Sequence, residues 1–272
     1  MSFDGLRVLS LESRRAAEIE TLIRRQGGDP FVAPSMREVP LAQNSAALLF
    51  AERLFDNQFE MLILLTGVGT RLLNQVIETR WAPGRFADAL RRITVVARGP
   101  KPMAVMREWG VPVAVTVPEP NTWREVLAAT EGRSEKHIAV QEYGRPSREL
   151  IDGLTARGAD VTSVPVYQWE LPEDQGPLRE AVRRMAAGEF QVLLVTSSAQ
   201  IEHLMRVAGE LNFEDAVRMA MKRVVTASIG PTTSETLSEL GLPADFEPTH
   251  PKMGLLVNET AQQARRILQS KQ

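Results

Sequence analysis

Cysteine is absent from the 272 residues, which excludes disulfides, thiolate nucleophiles and Cys-ligated zinc or iron–sulfur centres. Histidine is scarce. The three residues, His137, His203 and His250, lie far apart without metal-ligand spacing, so no metal is expected, and His203 falls within a helical stretch, in a surface or a satisfied role. Neither sign of charge prevails: the formal net charge is −2, and nothing draws the whole chain to nucleic acid or to an acidic membrane. No apolar run reaches the roughly 18 residues of a membrane span. The Met-Ser-Phe-Asp-Gly opening lacks a basic segment followed by an apolar stretch, which makes the cytoplasm the expected compartment. Nucleotide loops are missing too. Gly67-Val68-Gly69 runs on to Thr70-Arg71-Leu72 without the third glycine of a dinucleotide loop, and there is no P-loop. Thr226-Ala227-Ser228-Ile229-Gly230 lacks the first glycine of a nucleophile elbow.

What is present is an ordinary globular composition, 43% apolar and 24% charged, in a chain long enough for two domains. Strands are expected at 6–11, 29–33, 61–65, 93–97, 113–117, 137–141, 160–164, 192–195, 223–227 and 245–247, because these short runs are rich in Val, Leu and Ile. Amphipathic runs between them predict helices at 14–25 (capped by Ser13), 45–55, from the 66–69 loop to about 79, 101–109, 123–130 (capped by Asn121), 147–157, 177–187, 199–208, 213–221 (capped by Asn212), 232–240 and 252–270.

The chain repeats itself at an offset of about 130 residues. Leu-Ile-Leu-Leu-Thr-Gly-Val-Gly at 62–69 faces Val-Leu-Leu-Val-Thr-Ser-Ser-Ala at 192–199, and Ile-Thr-Val-Val-Ala-Arg-Gly-Pro-Lys-Pro at 93–102 faces Val-Val-Thr-Ala-Ser-Ile-Gly-Pro-Thr-Thr at 224–233. A duplicated unit of apolar strands and amphipathic helices calls for an α/β fold with parallel sheets covered on both faces. Two proline-bounded extended stretches, 34–40 and 164–172, read as twin crossings between two domains, and the second carries Tyr167, one of two tyrosines.

Four stretches resemble the uroporphyrinogen-III synthase family: Ala227-Ser228-Ile229-Gly230-Pro231-Thr232-Thr233 with its continuation to Leu240-Gly241-Leu242-Pro243, the Thr196-Ser197-Ser198 loop, Val164-Pro165-Val166-Tyr167, and Pro251-Lys252-Met253-Gly254-Leu255-Leu256. The resemblance spans nearly the whole chain. It implies two flavodoxin-like domains joined by a two-stranded linker, one discontinuous (1–36 and 170–272) and the other inserted (42–163), with linker strands at 37–41 and 164–169. It further implies a cyclising lyase that closes hydroxymethylbilane, a linear tetrapyrrole, into uroporphyrinogen III with inversion of the last pyrrole ring, in heme biosynthesis. No metal or cofactor is implied, the expected state is a monomer, and handover of substrate from hydroxymethylbilane synthase is expected. One departure stands out: where the family often has Thr-Arg-Pro after the first strand, this chain reads Leu11-Glu12-Ser13-Arg14-Arg15. The turn Arg98-Gly99-Pro100-Lys101-Pro102 departs at its last position.

An octacarboxylate substrate needs anion contacts and a mild acid. Backbone N–H groups at 66–70, 196–199 and 232–234, where loops feed helices, supply the first, and the expected substrate-binding residues on these turns and their repeat partners are Thr66, Gly67 and Gly69, Arg98 and Gly99, Thr196, Ser197 and Ser198, and Gly230, Pro231, Thr232 and Thr233. Each Thr or Ser taken alone is equally a plain helix cap. Tyr167 is the acid candidate, its phenol donating to the departing hydroxyl; the plainer alternative is a ring that only packs. A different class of function shares most of these features: a non-catalytic or regulatory binder of a tetrapyrrole-like anion, which has no need of Tyr167.

Overall fold

Most strands end in a short loop that starts a helix, and the order of strands decides which of these loops meet. The computed structural model describes residues 2–40, 44–142, 144 and 147–271. It runs β1 (Arg7–Ser10), α1 (Ala16–Arg25), β2 (Asp29–Val32), β3 (Arg37–Pro40), α2 (Ser45–Phe55), β4 (Met61–Leu64), α3 (Gly67–Glu78), α4 (Arg85–Leu90), β5 (Thr94–Ala97), α5 (Pro100–Glu108), β6 (Val115–Thr116) and α6 (Trp123–Ala129). It continues with β7 (His137–Gln141), α7 (Arg148–Ala156), β8 (Asp160–Val164), β9 (Tyr167–Glu170), α8 (Gly176–Ala186), β10 (Val192–Val195), α9 (Ser198–Glu210), α10 (Glu214–Met221), β11 (Val225–Ser228), α11 (Pro231–Glu239) and α12 (Met253–Ser270).

Two compact units result, a discontinuous one of Met1–Arg37 with Glu170–Gln272 and an inserted one of Glu38–Trp169. The two chain crossings, β3 and β9, pair in a two-stranded sheet. The expected α/β architecture with parallel sheets is found. Leu41, the last residue of the expected first linker, and Ala42, the expected start of the inserted domain, lie outside the described residues.

In the discontinuous unit the sheet order is β11-β10-β1-β2, all parallel. The chain steps from β1 to β2 on one side and later to β10 and β11 on the other, so the direction of winding reverses between β1 and β10. Alternation along the strands feeds two cores: Leu9 and Leu193 point into one, and Val8, Val192 and Leu194 into the other. The inserted unit orders its sheet β6-β5-β4-β7-β8, again parallel, with the reversal between β4 and β7. Leu62 and Leu64 face one core, Met61 and Ile63 the other. The central strands β4 and β10 are buried along their whole length, which is why they read as unbroken apolar runs.

Several local expectations are corrected. Ser13 does not cap α1, which begins at Ala16 without a side-chain cap; its Oγ instead accepts the amides of Ser35 and Met36 at 3.0 and 3.1 Å. The short helix α4 was not among the expected helices; Gly84 at φ +85° is its N-cap. Asn121 and Asn212 sit at φ +59°, the left-handed turn position asparagine tolerates, one residue ahead of the actual caps Thr122 and Phe213. The expected strand at 245–247 is reduced to a single bridge between Phe246 and Ala227. No helix among the described residues is long and apolar enough to cross a membrane.

Candidate active site

In parallel α/β sheets ligands bind beyond the carboxyl ends of the strands where the winding reverses. In the inserted unit that place lies after β4 and β7. Thr66 follows β4 in extended conformation and caps α3, its Oγ1 accepting the Gly69 amide at 3.0 Å. The Thr66 amide donates to Oε1 of Gln141, the fully buried last residue of β7, at 3.2 Å. Gly69 follows from that arrangement: a Cβ there would overlap the Gln141 amide. Gly67 lets α5 approach, since its Cβ would stand 2.9 Å from the Lys101 carbonyl oxygen. The helix α3 therefore begins at Gly67, one residue after the cap, and the loop is shorter than the sequence suggested.

Tyr167 enters the same cluster from β9. Its ring is buried, 3% exposed, in the core with Val164 and Val166, and Trp169 packs edge-on against it at 5.3 Å. Its hydroxyl lies 3.3 Å from Thr66 Oγ1. The phenol thus meets the cap of α3, beside the Gly67 and Val68 amides, which have no partner among the described residues. Arg98 turns its Nε to the Leu65 carbonyl at 3.1 Å. Gly99, at φ +86°, leaves room for the Asn121 side chain. Pro100 and Pro102 leave Lys101 as the one amide in the first three residues of α5. Arg71, one turn into α3, forks onto Glu108 at 2.9 and 2.5 Å, and this hydrogen bonding holds the Glu108 carboxyl below its usual range.

The discontinuous unit repeats the arrangement with different chemistry. After β10 the Thr196 amide donates to Gln200 Oε1 at 2.8 Å, the role Gln141 plays for Thr66. Gln200 Nε2 donates back to Thr196 Oγ1 at 2.8 Å, and the Thr196 hydroxyl donates to Glu12 Oε2. Glu12 comes from the loop after β1, across the reversal. Ser197 caps α9 without a side-chain bond, and the amides of Ser197, Ser198 and Ala199 have no partner among the described residues. Ser198 Oγ donates to the Thr232 carbonyl at 3.3 Å and lies 3.0 Å from Thr236 Oγ1, joining the starts of α9 and α11. In α11 the Thr233 amide closes on the Gly230 carbonyl at 3.0 Å and Pro231 has no N–H, which leaves the Thr232 amide. His203 Nδ1 donates to the Ser35 carbonyl at 2.7 Å, a satisfied buried histidine. No group of three or more His, Asp or Glu among the described residues could hold a metal ion.

The nominated residues thus fall into two clusters, Thr66, Gly67, Gly69, Arg98, Gly99 and Tyr167 in one unit, and Thr196, Ser197, Ser198, Gly230, Pro231, Thr232 and Thr233 in the other. The amides of Thr66 and Thr196, nominated for a ligand, are already engaged by glutamines. Gln141, Gln200 and Glu12 were not nominated. A signal existed for the first: Gln141 ends the otherwise apolar run Ile138-Ala139-Val140, where a polar side chain needs a partner.

A family profile described as Uroporphyrinogen-III synthase HemD matches residues 17–258. Over 233 residues the chain is 30% identical to a Methanothermobacter thermautotrophicus protein named "Putative uroporphyrinogen-III synthase", covering 85% of this chain and 87% of that one. It is 27% identical over 263 residues to the uncharacterized protein YjjA of Bacillus subtilis, covering 94% and 95%. Among solved structures, a mutant uroporphyrinogen III synthase from Thermus thermophilus superposes with a TM-score of 0.73 at 22% identity, covering 97% of this chain and 100% of that one. The Helicobacter pylori uroporphyrinogen-III synthetase gives 0.54 at 15%, covering 94% and 99%.

Proposed function

Since the chain belongs to the uroporphyrinogen-III synthase family, we propose that it is the cyclising lyase itself, converting hydroxymethylbilane to uroporphyrinogen III with inversion of the terminal ring. The observation that carries the reading is the placement of the Tyr167 hydroxyl at the cap of α3, next to unpartnered amides at a sheet reversal. An acid and an anion cradle side by side suit a substrate that is both polyanionic and ready to lose hydroxide.

The chemistry asked of these residues is modest. The amides of Gly67 and Val68, of Ser197, Ser198 and Ala199, and of Thr232 would take substrate carboxylates, each contact worth about 0.3 to 1 kcal/mol. Tyr167 would give its proton to the hydroxyl as the carbon–oxygen bond breaks, releasing water and leaving an azafulvene cation. The substituted α-carbon of the terminal ring attacks that cation. The resulting spiro intermediate fragments and recloses with the ring inverted, and the proton lost as the pyrrole regains aromaticity restores the phenol. Positioning of the reacting carbon supplies much of the rate. No cofactor enters this scheme. We place the protein in the cytoplasm as a monomer that receives its substrate from hydroxymethylbilane synthase.

The test is product analysis. Purified protein is given hydroxymethylbilane generated in situ, and the oxidised products are separated into isomers I and III. Isomer III above the spontaneous isomer I background supports the synthase. Isomer I alone, with the bilane raising the thermal unfolding midpoint, would instead identify a binder that keeps the anion contacts and lacks the chemistry.

A further inference from the structure

The reversal point of the discontinuous unit carries a negative charge where a polyanion would be expected to meet only donors. Glu12 is about nine-tenths buried. Its Oε1 accepts the Arg15 amide at 3.1 Å, and its Oε2 accepts the Thr196 hydroxyl and, at 3.5 Å, Gln200 Nε2. Thr196 consequently has both of its donors engaged, the amide on Gln200 Oε1 and the hydroxyl on Glu12. Its oxygen receives one N–H from Gln200 and keeps a lone pair. Thr196 itself is only half-buried.

A carboxylate and a hydroxyl oxygen with no proton to offer make an acceptor, and a carboxylate brought against them would be repelled. In the bilane, each ring carries a donor of matching kind in its pyrrole N–H. We propose that Glu12 and Thr196 together accept a pyrrole N–H of the substrate, so that the ring turns its nitrogen toward Thr196 and its acid side chains toward the amides of Ser197, Ser198 and Ala199. This rests on the synthase reading and adds to it a residue that sets ring orientation. It also accounts for the departure noted in the loop after β1: the glutamate at position 12 is a working part of the cluster, holding Thr196 in the acceptor state.

The test uses the full chain and hydroxymethylbilane made in situ, with wild type, Glu12→Gln, Thr196→Val and Thr196→Ser compared by initial rates, isomer ratio and thermal midpoint. The expected result is a KM raised about tenfold in Glu12→Gln and Thr196→Val, the loss of one hydrogen bond of this kind, with a lower ratio of isomer III to isomer I. Thr196→Ser keeps the hydroxyl and should recover most of the KM and isomer ratio lost in Thr196→Val. A lower KM in Glu12→Gln means that Glu12 only repels the polyanion, and it overturns the proposal, as does an unchanged KM in both Glu12→Gln and Thr196→Val. Should Glu12→Gln fail to fold, the contrast between Thr196→Val and Thr196→Ser decides, since Glu12 is intact in both. Wild type that makes isomer III beside unaffected variants removes this inference alone; wild type that makes none removes the synthase reading and this inference with it.

Discussion

The Tyr167 hydroxyl stands 3.3 Å from Thr66 Oγ1, an oxygen already accepting the Gly69 amide. With one lone pair so occupied, the Thr66 hydroxyl can turn its proton to the phenol oxygen and so fix the orientation of the phenol. Thr66→Val should therefore act twice. It removes the cap of α3, costing about 1 kcal/mol of stability, and it lets the phenol reorient, lowering kcat about tenfold. Thr66→Ser should restore both quantities, as read by chemical denaturation and by initial rates of isomer III formation.

Gly69 and Gln141 are coupled by space. A methyl group at Gly69 overlaps the buried Gln141 amide, so Gly69→Ala should destabilise by about 1 to 3 kcal/mol. Gln141→Ala alone strands the Thr66 amide and costs a similar amount. The double variant should lose less than the sum, because the methyl then occupies part of the space the glutamine vacates. Strict additivity in a urea denaturation cycle would contradict the packing described.

Acid stability should depend on Glu135, at the opposite end of the inserted unit's sheet. Burial alone would raise its pKa, but hydrogen bonds from Arg133 and Thr94 outweigh that and lower it to about 2. A carboxyl whose folded pKa is depressed contributes stability that is present above its unfolded value, near pH 4.5, and is lost as the pH falls toward 2. The contribution is at most about 3 kcal/mol, and less because the Arg133 partner is partly exposed to water. Glu135→Gln should thus be less stable than wild type at pH 7, and the gap should close as unfolding is followed down to pH 2.

Much of this was legible because the physics was local. The buried strands β4 and β10 announce themselves as apolar runs, and the internal repeat implies two parallel sheets. The sequence also brought Tyr167 and the Thr66 and Thr196 loops forward. It could not show that Gln141 engages the Thr66 amide, because that pairing depends on β7 lying beside β4 across a sequence separation of 75 residues. For the same reason Glu12 looked like a lost arginine, when its partner Thr196 lies 184 residues away. Helix starts misled where asparagine at φ +59° mimics a cap one position early.

In α12, Thr260 is fully buried among Leu256, Val257, Ala261 and Ala264, and its hydroxyl has no hydrogen-bond partner among the described residues. Replacing it by valine keeps the shape and removes a polar group buried without compensation. Thr260→Val should stabilise the protein by about 1 kcal/mol, seen as a raised denaturation midpoint with an unchanged slope.

The central claim is that Tyr167 protonates the departing hydroxyl, and Tyr167→Phe tests it most directly. The substitution keeps the buried ring and its edge contact with Trp169 and deletes only the oxygen. Single-turnover rates of isomer III formation at saturating hydroxymethylbilane should fall about 100-fold, with KM and thermal midpoint close to those of wild type. An unchanged rate would contradict the assignment and leave Tyr167 as a packing residue whose hydroxyl does no more than fill the space beside Thr66.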